Sequence, residues 1–383
     1  MHRPLVPVVA DDHEAVLRAL RPALDGTGPA VLPGAADDDA VPDDVALVVR
    51  TSGTLGEPRA VMLGAQALRA SATATHERLA GPGTWVLALP LTHIAGLQVL
   101  VRSVLAGTAP VVLEGKFDPV SGAGVVHAMA GPGPRYASLV PTQLHRILAG
   151  ATPDGTLPPQ LRPWAELDAI LVGGAASPPR LLERARAAGL KVVTTYGLTE
   201  TCGGCVYDGV PLAGVGVRAG TGGIEISGAV LARGYLGRPD LDAEAFHTTG
   251  GVRWLRTADA GELRDGVLQI LGRRDEVLVT GGHNVAPAVV EAALAGLPGV
   301  GQVCVVGVTD AEWGQAVTAV VVPGPGGAGL ELAGLRAAVS RTLGRAAAPR
   351  HLVLVDELPS SGPGKVDRAA VRCLAEAAVA AGH

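Results

Sequence analysis

Short apolar segments alternate with helix-length amphipathic segments through the first half of the chain, and this alternation is the strongest constraint on the fold. Strands are expected at residues 5–9, 46–49, 85–89, 109–113, 137–140, 167–172 and 191–195. Helices are expected between them, at residues 12–24, 65–79, 94–105, 142–148 and 179–188. This order is typical of an α/β domain whose mainly parallel sheets are layered with helices. Its ligand site should lie at the carboxyl ends of the strands.

The pattern changes twice in the second half. Residues 214–271 contain only short β segments, including one at 230–236 and a hairpin turn at Asp265-Gly266, which predicts a small antiparallel β subdomain. Beyond Arg274 a compact α+β unit is expected. We therefore predict an N-terminal domain of residues 1–274 and a small mobile C-terminal domain of residues 275–383.

Composition excludes several classes of protein. The chain of 383 residues is 48% hydrophobic and 17% charged, with a net charge of -5, as in a globular enzyme without a nucleic-acid-binding surface. Residues 97–113 are the most apolar region, but Arg102, Gly107 and Pro110 interrupt them. We expect no membrane insertion, no signal peptide and a cytoplasmic location. A homodimer is left open.

Four cysteines are too few and too scattered to predict a disulfide framework. Cys202 and Cys205 form a C-x-x-C pair that could supply half of a zinc site. A structural zinc site needs four ligands, and the sequence offers no second pair nearby. A metal role for this pair is therefore disfavoured.

The strand at residues 46–49 leads into a loop of hydroxyl residues and glycines that begins Thr51, Ser52, Gly53, Thr54. Such a loop can hold phosphate, because glycines let successive N–H groups converge and the hydroxyls add donors. The spacing is not that of a P-loop. A plain Ser/Gly turn is the alternative interpretation.

Two further loops offer nucleotide contacts. Gly174 and Ala175 follow a predicted strand and could admit a flat base against bare backbone, although many strand-to-helix turns look alike. Asp259 lies in a turn where its carboxylate could accept hydrogen bonds from two ribose hydroxyls, or simply stabilise the turn.

A third loop combines an aromatic ring, hydroxyls and a carboxylate at the end of a strand. Tyr196 could stack on adenine, Thr199 could bind a phosphate and Glu200 could hold Mg²⁺. The alternative is an exposed loop that caps a helix.

Five motifs occur in order: Thr-Ser-Gly-Thr-Leu-Gly-Glu-Pro-Arg at 51–59, Tyr-Gly-Leu-Thr-Glu at 196–200, Thr-Ala-Asp at 257–259, Gly-Arg-Arg-Asp at 272–275 and Pro-Ser-Ser-Gly-Pro-Gly-Lys at 359–365. Their order and spacing resemble those of the adenylate-forming superfamily of acyl-CoA synthetases, peptide-synthetase adenylation domains and luciferases. The resemblance implies that the chain joins a carboxylic acid to ATP as an acyl-adenylate, with Mg²⁺, and passes the acyl group to coenzyme A. It also implies nucleotide contacts from Gly197 and Arg273 and a hinge at Asp275. Leu55, Arg59 and Ala60 depart from the usual phosphate-loop pattern.

Lys365 is unusual in this composition. Lysine and arginine total 31, yet only three residues are lysines, so a lysine in a Gly/Pro loop is not background. Its compact ammonium on a flexible stem could reach between carboxylate and α-phosphate. We predict that Lys365 is catalytic together with Thr199 and Glu200.

His93 precedes a helix that carries Arg102 nine residues later. This pair resembles the o-succinylbenzoate:CoA ligases of menaquinone biosynthesis. A cation in an apolar pocket would suit the second carboxylate of that acid. Arg102 could instead be a charge on the helix surface.

Gly282 and Trp313 resemble residues that line the pantetheine tunnel of CoA ligases in this superfamily. Trp313 could instead belong to the core of the small domain. The predicted partners are therefore a small carboxylic acid, ATP and CoA. Rival functions are ligation of another aryl or acyl acid, the loading of a carrier protein, and nucleotide binding without catalysis.

Overall fold

The computed structural model describes residues 1–35, 40–52, 58–129, 131, 133–152, 154–324, 326–362 and 365–381. Within these ranges, the side chains of residues 52, 58, 328, 361, 362 and 365 lie outside the description.

The described residues form eleven helices: α1 (His13–Leu24), α2 (Ala65–Arg78), α3 (Ile94–Ala106), α4 (Pro119–His127), α5 (Pro141–Ala149), α6 (Pro163–Glu166), α7 (Pro179–Ala187), α8 (Pro239–Ala245), α9 (Pro287–Ala295), α10 (Leu332–Leu343) and α11 (Arg368–Ala380). The strands of the first half are β1 (His2–Val8), β2 (Ala30–Pro33), β3 (Ala40–Pro42), β4 (Val45–Ser52), β5 (Pro58–Gly64), β6 (Thr84–Leu87), β7 (Val111–Val112), β8 (Arg135–Leu139), β9 (Ala169–Val172), β10 (Val192–Leu198), β11 (Gly203–Tyr207) and β12 (Val210–Pro211). Those of the second half are β13 (Gly216–Gly220), β14 (Gly223–Ser227), β15 (Gly234–Tyr235), β16 (Phe246–Thr249), β17 (Val252–Arg256), β18 (Asp259–Arg264), β19 (Val267–Arg273), β20 (Leu278–Thr280), β21 (His283–Val285), β22 (Val300–Asp310), β23 (Gly314–Pro323), β24 (His351–Leu354), β25 (Ser360–Gly362) and β26 (Lys365–Val366).

The first sheet has the strand order β15-β5-β4-β2-β1-β3 and carries the predicted phosphate loop. β4 runs parallel to β2, and β5 returns antiparallel to β4 with Arg50 opposite Ala60. The loop therefore joins two strands of a hairpin. The prediction that residues 230–236 are a strand of the β subdomain is wrong: only Gly234–Tyr235 is a strand, and it extends this first sheet by pairing with β5.

The second sheet has the order β12-β11-β10-β9-β8-β6-β7. β6 to β10 are parallel, with helices between them, as the alternation of apolar and amphipathic segments predicted. β11 runs antiparallel to β10, with a bulge between Tyr196 and Gly197. A side chain at Gly197 would collide with the carbonyl of Gly203, so the bulge requires glycine.

The antiparallel part consists of a four-stranded sheet, β13-β14-β17-β16, and the hairpin β18-β19. Asp265 and Gly266 both have positive φ at the tip of this hairpin, as a type I′ turn requires. The expected α/β fold with a small antiparallel part and a C-terminal α+β unit is confirmed.

The C-terminal unit begins after a 3₁₀ turn at Arg274–Glu276. It contains the β20–β24 sheet and has apolar clusters of its own, one of which joins Leu278, Val290 and Val339. α11, which was not predicted from the sequence, packs Val371 and Ala375 on β22 and β24. The residues before and after Arg274 have separate apolar clusters, as two domains would. The domain boundary itself stays a prediction. Among the described residues, no helix combines the length and apolarity that crossing a bilayer needs.

Candidate active site

The carboxyl ends of β9 and β10 bring two predicted nucleotide-binding loops together, since these strands are parallel neighbours. Gly174, at φ +81°, and Ala175 are exposed just beyond β9. The turn Thr199–Thr201 follows β10, and Thr201 fixes it by accepting the Leu198 N–H at 2.8 Å. An exposed backbone edge thus lies beside a polar turn.

Tyr196, Asp259 and Arg273 meet although they are far apart in sequence. The Tyr196 hydroxyl donates to Asp259 Oδ2 at 2.7 Å, and Arg273 Nη1 lies 3.8 Å from Asp259 Oδ1. Burial, and next the Asp259 charge, raise the pKa of the Tyr196 phenol, so it remains a donor. The Tyr196 ring is thereby held beside a largely buried carboxylate. These contacts suit a base next to a ribose.

The predicted magnesium ligand Glu200 is held by a tyrosine that sequence reasoning missed. Tyr235 donates its hydroxyl to Glu200 Oε1 at 2.8 Å, and the Arg59 guanidinium lies 5.8 Å from the centre of the Tyr235 ring. Burial, and next Glu200, raise the pKa of Tyr235. Only the pairing of β15 with β5 places Tyr235 here, so no local sequence signal marks it.

The predicted phosphate loop itself falls mainly outside the described residues. This holds for Gly53 and Thr54 and for the side chain of Ser52. The side chain of Lys365, in the C-terminal unit, also lies outside the described residues. Thr51 is described, and its hydroxyl donates to the Arg59 carbonyl at 3.4 Å. The base of the loop therefore adjoins the Glu200 turn through Arg59 and Tyr235.

Arg102 lies inside the protein, so the interpretation as a helix-surface charge is wrong. The residue is only 3% exposed, its Nη1 donates to Ser138 Oγ at 3.4 Å, and its guanidinium lies 4.7 Å from the Trp85 ring centre. Burial lowers its pKa, yet a guanidinium remains charged at neutral pH. No carboxylate among the described residues forms an ion pair with it. His93 is exposed at the N-terminus of the same helix, α3.

Nε of Arg102 has no hydrogen-bond partner in the described part of the chain. The same is true of other buried polar atoms near this arginine: His76 Nε2, Trp85 Nε1 and both amide atoms of Gln98. Gln98 lies one helical turn before Arg102, on the same face of α3. An unpaired buried polar group costs about 1–3 kcal/mol, so several together indicate a place where a polar ligand contributes partners.

His76 gives this cluster a pH dependence. Burial, and next the Arg102 charge, lower its pKa from 6.5 to about 4. The unfolded chain binds this proton near pH 6.5 and the folded protein only near pH 4, so acidification through that window favours unfolding. We expect the free energy of unfolding to fall by about 2–3 kcal/mol from this residue.

His76→Gln should remove that part of the pH dependence. Urea unfolding at pH 7 and pH 4.5 measures it, with the exposed His127→Gln as the matched control. Equal losses on acidification in His76→Gln and the unsubstituted protein would show that His76 is not the group responsible.

The predicted CoA-binding residues lie together in the C-terminal unit. Trp313 packs against the Gly281-Gly282 turn so closely that a side chain at Gly281 would overlap its ring. The Arg350 guanidinium lies over the Trp313 ring, 3.5 Å from the ring centre. Trp313 is thus partly exposed between a bare backbone and a cation, and is not a core residue. Sequence reasoning missed Arg350, because stacking leaves no motif.

The predicted hinge residue is bound to the nucleotide side. Asp275 accepts two hydrogen bonds from Arg273, at 2.9 and 2.6 Å. The hydrogen bonds to Asp275 raise the pKa of Arg273, and burial, which acts in the opposite direction, has a smaller effect. Arg273 therefore joins Asp259 to the 3₁₀ turn at Arg274–Glu276, which precedes the C-terminal unit.

Cys202 and Cys205 are fully buried in the apolar core. Burial raises the pKa of the Cys205 thiol to about 12, and it raises that of Cys202 as well, so both act as small apolar side chains. Nowhere in the described ranges do three or more histidine, cysteine or acidic side chains form a metal-binding group.

Comparison with known proteins agrees with this geometry. Residues 6–236 match the family model described as AMP-binding enzyme, and residues 289–365 match the AMP-binding enzyme C-terminal domain. A probable 2-succinylbenzoate–CoA ligase of Mycobacterium tuberculosis is 47% identical over 96% of this chain and 90% of its own length. Medium/long-chain-fatty-acid–CoA ligase FadD8 of the same organism is 35% identical over 87% of this chain and 62% of its own.

A solved structure supports the same assignment. O-succinylbenzoate coenzyme A synthetase (MenE) from Bacillus subtilis, in complex with AMP, superposes with a TM-score of 0.71 at 25% identity, over 92% of this chain and 80% of that one. The chain therefore belongs to the AMP-binding enzyme family and is an AMP-forming acid:CoA ligase that uses ATP and CoA.

Proposed function

We propose that this ligase converts o-succinylbenzoate to o-succinylbenzoyl-CoA, a step of menaquinone biosynthesis. The observation that carries the proposal is Arg102: a buried guanidinium on α3 that makes no ion pair with a carboxylate among the described residues. Burying an unpaired charge is costly, and pairing it with a substrate carboxylate removes most of that cost. A dicarboxylic acid supplies one carboxylate for Arg102 and one for activation.

The polar surroundings of Arg102 favour the same acid over a fatty acid. An alkyl chain cannot form hydrogen bonds with the buried amide of Gln98 or the indole N–H of Trp85. An aromatic keto diacid presents oxygens to both. Because Gly203, just after the Thr199–Thr201 turn, packs against the Gln98 side chain, this polar cluster lies close to the proposed reaction centre.

For the adenylation step we assign ATP contacts as follows. The loop residues Thr51, Ser52, Gly53 and Thr54 bind phosphates, and Thr199 adds a hydroxyl. The adenine lies against Gly174, Ala175, Tyr196 and Gly197, and the ribose hydroxyls donate to Asp259 beside Arg273. The substrate carboxylate attacks the α-phosphorus, the new O–P bond replaces the bond to pyrophosphate, and Lys365 neutralises the developing charge.

Glu200 is our candidate ligand for Mg²⁺. A carboxylate oxygen is the donor that this ion prefers, and Tyr235 orients the group through Oε1. When bound, the ion would neutralise phosphate charge.

For thioester formation we assign Gly282 and Trp313 to the path of the pantetheine arm. The CoA sulfur attacks the acyl carbon, the C–S bond replaces the C–O bond to AMP, AMP leaves, and the thiol proton passes to solvent. Arg350 on Trp313 supplies positive charge for the phosphates of CoA. His93, at the N-terminus of α3, is assigned to the binding of the substrate acid.

A panel of carboxylic acids with ATP and CoA, read by mass spectrometry, tests the proposal. We expect o-succinylbenzoate to give the thioester with a kcat/KM about tenfold to a hundredfold above that of 4-oxo-4-phenylbutanoate, which lacks the ring carboxylate. A higher kcat/KM for a medium-chain fatty acid would contradict the assignment. Thioester formation with free CoA separates it from the loading of a carrier protein.

A further inference from the structure

Arg368 begins the last helix, α11, and its guanidinium is fully engaged. Nε lies 3.0 Å from Glu276 Oε2 and Nη2 lies 2.8 Å from Glu291. Nη1 donates to the Val305 carbonyl at 3.0 Å. These side chains are mostly shielded from solvent, at 29% exposed for Arg368 and Glu276 and 15% for Glu291. A planar fork with three acceptors holds the start of the helix in one position.

Glu276 connects this clamp to the proposed hinge. It follows Asp275 directly, and its Oε1 lies 3.8 Å from Arg273 Nε. A line of ionic contacts therefore runs from Asp259 through Arg273 and Glu276 to Arg368. Glu291 completes the line from α9, where its Oε1 also accepts the Val305 N–H at 2.8 Å. The ribose side of the nucleotide site and the base of α11 are thus joined.

Lys365 lies three residues before Arg368, in the short strand β26. Asp367 lies between them and caps α11 by accepting the Ala370 N–H at 3.0 Å. Three extended residues span at most about 10 Å, so anchoring Arg368 restricts where the Lys365 backbone can lie. Asp259 and Arg273 are proposed nucleotide contacts, so the ionic contacts restrict the position of the Lys365 backbone relative to the nucleotide.

We propose that Arg368, held by Glu276 and Glu291, is a positioning residue for Lys365 in acyl-adenylate formation. The proposal rests on the catalytic role assigned to Lys365 above. Arg368 touches no substrate in this scheme. Its loss leaves the lysine present but poorly placed, and a displacement of about 1 Å can cost a hundredfold in rate.

Single-turnover assays of the two half-reactions test this, using Arg368→Met, Arg368→Lys and Glu276→Gln. We expect Arg368→Met to slow acyl-adenylate formation at least about tenfold and to leave thioester formation from a synthetic acyl-adenylate within about twofold. Arg368→Lys should restore only part of the rate, because an ammonium lacks the fork. Arg372→Met is the matched control, since Arg372 is exposed one turn further along α11.

Equal slowing of both half-reactions, or no slowing of adenylation, would overturn the inference. Should Arg368→Met fail to fold, the isosteric Glu276→Gln decides by the same two measurements. Lys365→Ala distinguishes the catalytic role of Lys365 from the positioning role of Arg368. If that variant forms acyl-adenylate normally, the role of Lys365 fails and this inference with it. If only Lys365→Ala is slow, Arg368 alone is wrongly assigned.

Discussion

Lys365→Ala is expected to slow acyl-adenylate formation by about a hundredfold to a thousandfold while CoA transfer from a synthetic acyl-adenylate stays nearly intact. The magnitude is that of removing one preorganised donor from a developing negative charge. The selectivity follows because only adenylation brings two anions together, the substrate carboxylate and the α-phosphate, whereas in thioester formation the CoA sulfur attacks a neutral acyl carbon. Single-turnover measurement of each half-reaction gives both rates.

The same experiment tests the proposed movement of the C-terminal domain. Lys365 begins β26, whereas Gly282 lies between β20 and β21, so the two residues occupy different parts of one unit. A rotation about Asp275 would bring Lys365 to the nucleotide site for adenylation and then Gly282 to that site for thioester formation. If Lys365→Ala slows both half-reactions equally, a single static site is the better description.

The parallel part of the fold followed from hydrophobic periodicity. β6, β8, β9 and β10 lie where apolar runs predicted them, because a strand buried on both faces needs a continuous apolar segment. β15 could not be assigned in this way. Its two residues are a strand only because β5 lies beside them, and such a partner distant in sequence leaves no local pattern.

The residues of the candidate site also divide into those with a local sequence signal and those that depend on partners distant in sequence. Tyr196 and Asp259 were predicted from short polar motifs next to strands, and a hydrogen bond between their side chains joins the end of β10 to the start of β18. Tyr235 and Arg350 act through contacts with residues distant in sequence, a hydroxyl on Glu200 and a guanidinium on a ring. Contacts of that kind depend on tertiary packing, so they become visible only in the folded chain.

Arg102 shows how burial changes the interpretation of a charge. In sequence it could be a surface residue of α3, since one arginine in an apolar helix fits either side. In the structure it is buried with Ser138 as its hydrogen-bond partner and the Trp85 ring beside it. A hydroxyl and a ring do not neutralise a guanidinium, so a carboxylate ligand gains more here than at the surface.

Arg102→Met should therefore weaken the binding of o-succinylbenzoate far more than the binding of 4-oxo-4-phenylbutanoate. A charge-assisted hydrogen bond contributes about 1.5–3 kcal/mol, which corresponds to roughly a tenfold to a hundredfold loss of affinity for the diacid alone. Methionine preserves much of the side-chain volume and limits the cavity that alanine would leave.

Isothermal titration with both acids measures the difference, and Arg146→Met, on the solvent-exposed face of α5, is the control for a lost charge. Because the monocarboxylic acid lacks only the group that Arg102 is proposed to bind, equal losses for the two acids would place Arg102 outside the acid pocket. A selective loss for the diacid would assign the second carboxylate to α3.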